Sequence, residues 1–124
     1  MNPKRTSYQR GLWAEKWAAL YLRLKGYRIL KTRYKTPVGE IDLIAVKKKT
    51  LVFVEVKARA HIDDALHAVN MRAQRRIQKA SGHFVIYHPE YTAYDMRFDV
   101  IAFAKGIVGG YWPRHLDNAW QAHS

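Results

Sequence analysis

Length, composition and charge narrow the class of protein before any motif is considered. The chain has 124 residues and no cysteine, so we expect one domain without disulfides or thiolate metal sites. No apolar run approaches the roughly 20 residues that a membrane span needs, and the N-terminus lacks the apolar core of a secretion signal. The expectation is therefore a soluble cytoplasmic protein with no membrane partner.

The charge is strongly basic and unevenly distributed. Lys and Arg number 22 against 10 Asp and Glu, which gives a net charge of +12. Glu15 is the one acidic residue within residues 1–35, where ten of the basic residues lie. Such asymmetry predicts a polyanionic partner, most simply nucleic acid, although basic surfaces also occur on proteins that bind anionic lipid or merely stay soluble.

The first predicted helix has two apolar faces. Residues 1–10 are polar and basic and predict a flexible arm, and residues 12–25 then show helical periodicity that Gly26 ends. On one face Glu15 lies among small residues, which favours close packing on a sheet with the carboxylate at its rim. The other face is a stripe that could pack in the core or contact nucleic acid or a second copy of the chain: Trp13, Trp17, Leu20, Tyr21 and Leu24.

The rest of the chain predicts a mixed sheet flanked by helices, in the order αβββαβ. A second helix begins near Asp63 and takes in residues 69–81, and it either ends at Gly82 or continues to Tyr87. The predicted strands cover residues 27–34, 40–46, 51–58 and 97–103, with a shorter one at 107–112. The domain is expected to span residues 11–120, after the arm at 1–10 and before a tail at 121–124.

Two acidic motifs lie on either side of a predicted turn. They are Gly39-Glu40-Ile41-Asp42 and Glu55-Val56-Lys57, with Lys48 and Lys49 as the central turn residues between them. In such a hairpin Asp42 lies directly opposite Glu55, and Glu40 lies opposite Lys57. Facing carboxylates repel each other, whereas a divalent cation held between them would turn the repulsion into a binding site.

These residues match the chemistry of phosphodiester hydrolysis. Asp42 and Glu55 could supply oxygen ligands to Mg²⁺ or Mn²⁺, with the carbonyl of Val56 as a third ligand and Glu15 completing the shell or holding a second ion. Lys57 could orient a water molecule or stabilise charge that builds on the phosphate. The alternative is a set of cross-strand salt bridges on a solvated face. The apolar neighbours of both carboxylates argue against it, because burying charge is costly unless it is paired or metal-bound.

At this point the chain resembles a known family, the YraN-type family of small bacterial endonuclease-like proteins. The resemblance rests on motifs spread over residues 11–120: Gly11, Glu15, Ala18, Tyr21-Leu22, Gly26-Tyr27, Gly39-Glu40-Ile41-Asp42-Leu43-Ile44-Ala45, Phe53-Val54-Glu55-Val56-Lys57-Ala58-Arg59, Ala68-Val69, Gln74, Arg97-Phe98-Asp99-Val100 and Asn118-Ala119-Trp120. That family in turn resembles the PD-(D/E)XK nucleases, especially archaeal Holliday-junction resolvases. The resemblance implies a restriction-endonuclease-like fold and a metal site at Glu15, Asp42, Glu55 and Lys57. The chain departs from the family pattern at Ala73, where Lys is usual, a change that could weaken a phosphate contact.

Further residues are candidates for accessory roles. Glu40 could pair with Lys57 or reach the metal through water, and Gln74 could face the substrate, although a helical Gln is more often simply solvated. Asp99 is expected to pair with an Arg. The candidate nucleic-acid contacts are Arg5, Arg10, Arg33, Lys35, Arg59, Arg72, Arg75, Arg76 and Lys79.

Two functional hypotheses follow. The first is a divalent-metal-dependent endonuclease that recognises DNA by structure, including branched DNA, and that could act as a homodimer through the Trp13 and Trp17 stripe. The second is a non-catalytic module that binds DNA or structured RNA and uses its carboxylates only for structure. Both predict binding that weakens steeply with salt, so only a cleavage assay separates them.

Overall fold

The computed structural model describes the backbone of residues 7–123 and the side chains of residues 11–123. It contains three α-helices and five β-strands in this range, with a short 3₁₀ turn at Pro89–Tyr91. In chain order they are α1 (Ser7–Leu24), β1 (Arg28–Thr36), β2 (Gly39–Lys47), β3 (Thr50–Ala58), α2 (Ile62–His67), α3 (Met71–Tyr87), β4 (Asp95–Lys105) and β5 (Tyr111–Trp120).

The five strands form one mixed sheet in the order β1-β2-β3-β4-β5. All neighbouring pairs are antiparallel except β3 and β4, which run parallel. A parallel pair needs a long crossover connection, and here α2 and α3 supply it. The predicted fold class, a mixed sheet flanked by helices in a restriction-endonuclease-like arrangement, is confirmed.

The sheet separates two apolar clusters because strand side chains alternate between its faces. On one face α1 packs through its small residues, with Ala18 and Leu22 fully buried against Val54 and Ile101. On the other face α3 covers a second cluster that contains Phe53 and Phe84. The predicted close packing of the small-residue side of the first helix is therefore confirmed, and both helices reach the same end of the sheet from opposite sides.

Gly39 sets how closely α3 approaches the sheet. A Cβ at this position would overlap the main-chain carbonyl of Arg76. Glycine lacks that atom, so the backbone of β2 and the backbone of α3 come into direct contact. This contact places the first half of α3 beside the end of β2, where the acidic motif begins.

Two predicted boundaries were wrong, and the structure decides between the two alternatives for a third. The first helix begins at Ser7, so residues 7–10 of the predicted arm are helical, whereas residues 1–6 lie outside the described residues. The second helix is two helices, because Asn70 starts a new one by accepting a hydrogen bond from Ala73 N at 3.0 Å. Of the two endings considered for it, the continuation to Tyr87 is correct.

The largest error concerns the last strand, which was predicted at residues 107–112 and instead takes in residues 111–120. These residues form β5, an edge strand antiparallel to β4. Its buried end is Trp120, which stacks on Phe98 with 4.0 Å between ring centroids. Within the part of the chain that the structure describes, no helix is both long and apolar enough to span a membrane.

Candidate active site

The two acidic motifs meet in a cavity of about 470 Å³ where β2 and β3 separate at the end of the sheet. All four residues predicted to be catalytic line it, and they come from α1, β2 and β3. The cavity carries both signs of charge: the carboxylates of Glu15, Glu40, Asp42 and Glu55, and the cations of Lys57, Arg59 and Arg76.

The predicted register of the hairpin is correct along most of its length, and the prediction fails at the acidic end. The pairs run from Lys47 and Thr50 at the turn to Leu43 and Val54, where the ladder ends. Asp42 and Glu55 are therefore not a ladder pair, and neither are Glu40 and Lys57. Instead, Asp42 Oδ2 accepts a hydrogen bond from Val56 N at 2.8 Å. The carboxylate of Asp42 takes the place of the main-chain partner that Val56 N–H would have had in a continuing ladder.

Glu55 lies in a largely buried position against Asp42. Burial raises the pKa of the Glu55 carboxyl well above its usual range, and a hydrogen bond with the Asp42 carboxylate and repulsion from its charge raise it further. Lys57 opposes this shift from the same strand face, with its Nζ 3.7 Å from Glu55 Oε2. Protonation of the Glu55 carboxyl is therefore favoured beside Asp42.

Glu15 reaches the cavity from α1. Its pKa is raised to about 7, by burial first and then by the negative charges of Asp42 and Glu40. Arg33 on β1 counteracts the shift, with its Nε 3.8 Å from Glu15 Oε1. The sequence held no signal for this ion pair, because it depends on how α1 crosses β1.

The donor set fits a hard divalent cation in chemistry, although it is not a preformed cage. No group of three or more His, Cys, Asp or Glu side chains among the described residues is arranged so that it could hold a metal ion. The closest carboxyl pair is Asp42 with Glu55, and Val56 lies beside them. Burial is the main cause of the raised pKa values of Glu15 and Glu55, and repulsion from the neighbouring carboxylates Asp42 and Glu40 adds to both. Oxygen ligands with excess negative charge are what Mg²⁺ and Mn²⁺ prefer.

The predicted phosphate-contacting residues fall into several groups. Arg59 and Arg76 line the cavity, and Arg59 Nη1 donates to the carbonyl of Ala58 at 2.9 Å. Arg72, Arg75 and Lys79 are exposed on α3 without lining the cavity. On β1, Arg33 pairs with Glu15, and Lys35 lies opposite Glu40 in the ladder. Arg5 and the side chain of Arg10 lie outside the described residues.

The side chain of Gln74 is hydrogen-bonded to neighbouring protein groups. Its Nε2 donates to the carbonyl of Val69 at 3.0 Å, and its Oε1 lies 2.7 Å from His123 Nε2. It is not among the residues that line the cavity. The structure therefore gives Gln74 a packing role between α3 and the C-terminal segment. Glu40, the other accessory candidate, does line the cavity and is exposed.

Asp99 forms a separate buried network on the α1 side of the sheet. The expected pairing with an Arg is confirmed, because Arg97 donates to both carboxylate oxygens at 2.8 Å. His115 Nε2 lies 2.7 Å from Oδ2, and Asn118 N donates to Oδ1 at 2.9 Å. Burial opposes ionisation of Asp99, but these hydrogen bonds outweigh it and lower its pKa. The partners on β5, His115 and Asn118, were missed because the last predicted strand ended at residue 112.

The mixed sheet and the acidic cavity at its end define a small restriction-endonuclease-like α/β protein. The chain belongs to the uncharacterised protein family UPF0102, the YraN family, whose model matches residues 14–103. The resemblance drawn from the motifs is thereby confirmed at the level of the family.

Similar proteins cover nearly the whole chain. A UPF0102 protein of Parvibaculum lavamentivorans is 47% identical over 115 residues, which are 93% of this chain and 84% of the relative. A UPF0102 protein of Rhodopseudomonas palustris strain BisB18 is 46% identical over 121 residues, 97% of this chain and 87% of the relative. A UPF0102 protein of Nitrobacter winogradskyi is 45% identical over 116 residues, 94% of this chain and 95% of the relative. None of these names states an activity.

Proposed function

We propose that the protein is a divalent-metal-dependent endonuclease that hydrolyses DNA phosphodiester bonds and selects its substrate by structure, as in branched or junction DNA. One observation carries the proposal. Glu15, Asp42, Glu55 and Lys57 come from three separate elements and line a single cavity. Carboxylates grouped with a lysine at the end of a mixed sheet are suited to phosphodiester hydrolysis.

Each residue has a role that its surroundings support. Mg²⁺ or Mn²⁺, when held by Asp42 and Glu55 with Glu15 beside them, supplies Lewis-acid stabilisation of the phosphodiester. Lys57 stabilises negative charge that develops on the phosphate or orients the attacking water. Glu15 has a pKa of about 7, so it can take up and release a proton near neutral pH.

The basic residues bind the DNA backbone. Arg59 and Arg76 lie in the cavity, where a planar guanidinium can donate two parallel hydrogen bonds to one phosphate. The exposed cations of α3 extend this surface beyond the cavity. Phosphate contacts position DNA without reading its sequence, which agrees with selection by structure. A homodimer would suit the cutting of both strands of a symmetric junction.

A second candidate function is a non-catalytic module that binds DNA or structured RNA. It is favoured by the observation that the described residues form no ready-made metal group. In that case the carboxylates would have only structural roles. Asp42 would accept the hydrogen bond from Val56 N–H, and the other carboxylates would balance the charge of the neighbouring cations. Net charge does not separate the candidates, because both require a basic surface.

Cleavage assays decide between the two functions. Four-way junction, flap, nicked, linear and single-stranded DNA are incubated with Mg²⁺ or Mn²⁺ and either wild type or Glu55→Gln. Wild type is expected to cut at least one branched substrate, and the variant to cut none. Glu90→Gln is the matched control, because Glu90 is exposed and lies outside the cavity. Survival of every substrate, or equal cutting by Glu55→Gln, would leave the binding module as the better function.

A further inference from the structure

A second concave surface lies beside the acidic cavity. It is a groove of about 410 Å³ between α1 and the β4–β5 hairpin, and the described residues that line it are aromatic, aliphatic or proline. Two of its largest side chains are strongly exposed, with 50% of Trp17 and 56% of Trp112 accessible to solvent. An exposed apolar groove of this kind commonly marks a binding surface.

Trp112 is held in one orientation although it is exposed. Its Nε1 donates to the carbonyl of Gly109 at 3.0 Å. Its ring lies directly against Gly106, where a Cβ would overlap the indole. A ring that is already fixed loses little conformational freedom when a ligand stacks on it. The β4–β5 hairpin therefore presents a preorganised flat surface to solvent.

The groove is bordered by basic side chains. Lys25 Nζ lies 5.1 Å from the centre of the Tyr21 ring, and Lys105 is opposite Tyr111 in the β4–β5 ladder. Two other cations of α1, Lys16 and Arg23, lie on its opposite flank toward β1 and do not border the groove. Flat apolar rings combined with negative charge are the chemistry of an unpaired nucleotide. A second copy of this chain would bring the same cations and so meet repulsion, which favours nucleic acid as the occupant.

The groove and the acidic cavity are adjacent. Ala58 lines the cavity, and its ladder partner Phe103 lines the groove. Beyond that pair, Arg59 N donates to Phe103 O at 3.0 Å, and Lys105 N donates to Ala60 O at 3.2 Å. Arg59 at the cavity and Lys105 at the groove thus lie on neighbouring segments. A DNA strand with one phosphate at Arg59 would pass its next nucleotides over the groove.

We infer that the groove binds unpaired nucleobases of a DNA strand whose backbone enters the acidic cavity, with Trp17 and Trp112 as the stacking surfaces. The choice of DNA as the ligand rests on the proposed function. The inference deepens that function by naming the substrate class, which is DNA with an unpaired stretch beside the bond to be cut, in preference to continuous duplex.

The test measures binding without cleavage. Fluorescence anisotropy compares a short labelled oligothymidylate with a blunt duplex of the same length, in EDTA and at low salt. Trp17→Ala and Trp112→Ala are each expected to weaken single-strand binding by about 5- to 100-fold, while duplex affinity and Tm stay close to wild type. Trp112→Phe keeps an aromatic face and should retain most of the affinity. Tyr87→Ala is the control, because Tyr87 is an exposed aromatic residue on α3 outside the groove.

Every outcome bears on the inference. Equal weakening of single-strand and duplex binding by the Trp variants, or no weakening at all, would overturn it. Sedimentation analysis tests whether a second copy of the chain occupies the groove instead. If wild type is a dimer, and the Trp variants are monomers with unchanged single-strand affinity, the groove joins two copies and the inference is wrong. Because EDTA removes divalent cations, a protein that proves unable to cleave DNA still gives a valid binding result.

Discussion

Replacing Glu55 with Gln should make the metal-free protein more stable at neutral pH. The Glu55 carboxyl is buried beside Asp42, so its pKa is raised and the folded state holds a proton there. An unfolded-state carboxyl with a pKa of 4.5 is ionised at pH 7. Protonating it costs about 1.4 kcal/mol for each pH unit above that pKa, so roughly 3 kcal/mol at pH 7. Gln keeps a hydrogen-bond donor for Asp42 and never incurs this cost.

The pH dependence has a definite sign. Because the folded-state pKa of Glu55 is raised, its contribution to wild-type stability is full below pH 4.5 and declines as pH rises toward the folded-state pKa. The Glu55→Gln variant lacks that decline. The excess stability of the variant should therefore be small at pH 4.5 and reach roughly 3 kcal/mol at pH 7. The raised pKa of Glu15 affects both proteins alike and largely cancels in the difference.

Urea unfolding in EDTA at the two pH values measures this difference. The control is Glu90→Gln, whose side chain is exposed, and it should follow wild type at both values. The reasoning fails if Glu55→Gln has no excess stability at pH 7. It fails equally if the excess is the same at pH 4.5, since it would then come from packing and not from a proton.

Four further predictions follow from the same structure. Magnesium at ten times its Kd should stabilise wild type by about 1.4 kcal/mol in thermal unfolding. The stabilisation should be stronger at pH 8 than at pH 6, because the carboxyl groups must lose their protons before they bind the cation. A variant lacking the Glu55 carboxylate should show no stabilisation by magnesium. Arg76→Ala should reduce kcat/KM by roughly 10- to 100-fold on a junction that wild type cleaves, because it removes charged hydrogen bonds to phosphate. Arg75 lies outside the cavity, so Arg75→Ala should change kcat/KM far less. Gly39→Ala should destabilise the fold by about 1–3 kcal/mol in urea, because the added methyl displaces α3. Asp99→Asn should cost about 3 kcal/mol by the same measurement, since it leaves the Arg97 charge without its buried partner.

Local patterns in the sequence were sufficient to predict the turn and most of the register of the hairpin that carries the acidic motifs. Lys48 and Lys49 form the turn as predicted, and the register follows from it as far as Leu43 and Val54. Strand alternation alone predicts that Glu55 and Lys57 share one face of the sheet. These features depend on residues near one another in the chain, so they can be read from spacing and turn chemistry.

Spacing and turn chemistry could not predict how the strands pair at the acidic end of the hairpin. The ladder stops before Asp42, whose carboxylate turns to Val56 N–H. An ideal ladder predicts the opposite, a continued pairing of Asp42 with Glu55. Whether a ladder continues depends on what else competes for its hydrogen-bonding groups, and a carboxylate side chain is such a competitor.

The sequence by itself determined the fold class, the family and the identity of the carboxylates and lysine, since these depend on local periodicity and on short motifs. Only the tertiary structure decided that Glu15 and Arg76 share one cavity, because they lie on helices that cover opposite faces of the sheet. Their meeting depends on two close contacts, the small-residue face of α1 against one side and Gly39 under α3 on the other. It likewise decided that residues 113–120 continue the last strand, because β4 offers them an edge and Phe98 offers Trp120 a stacking partner.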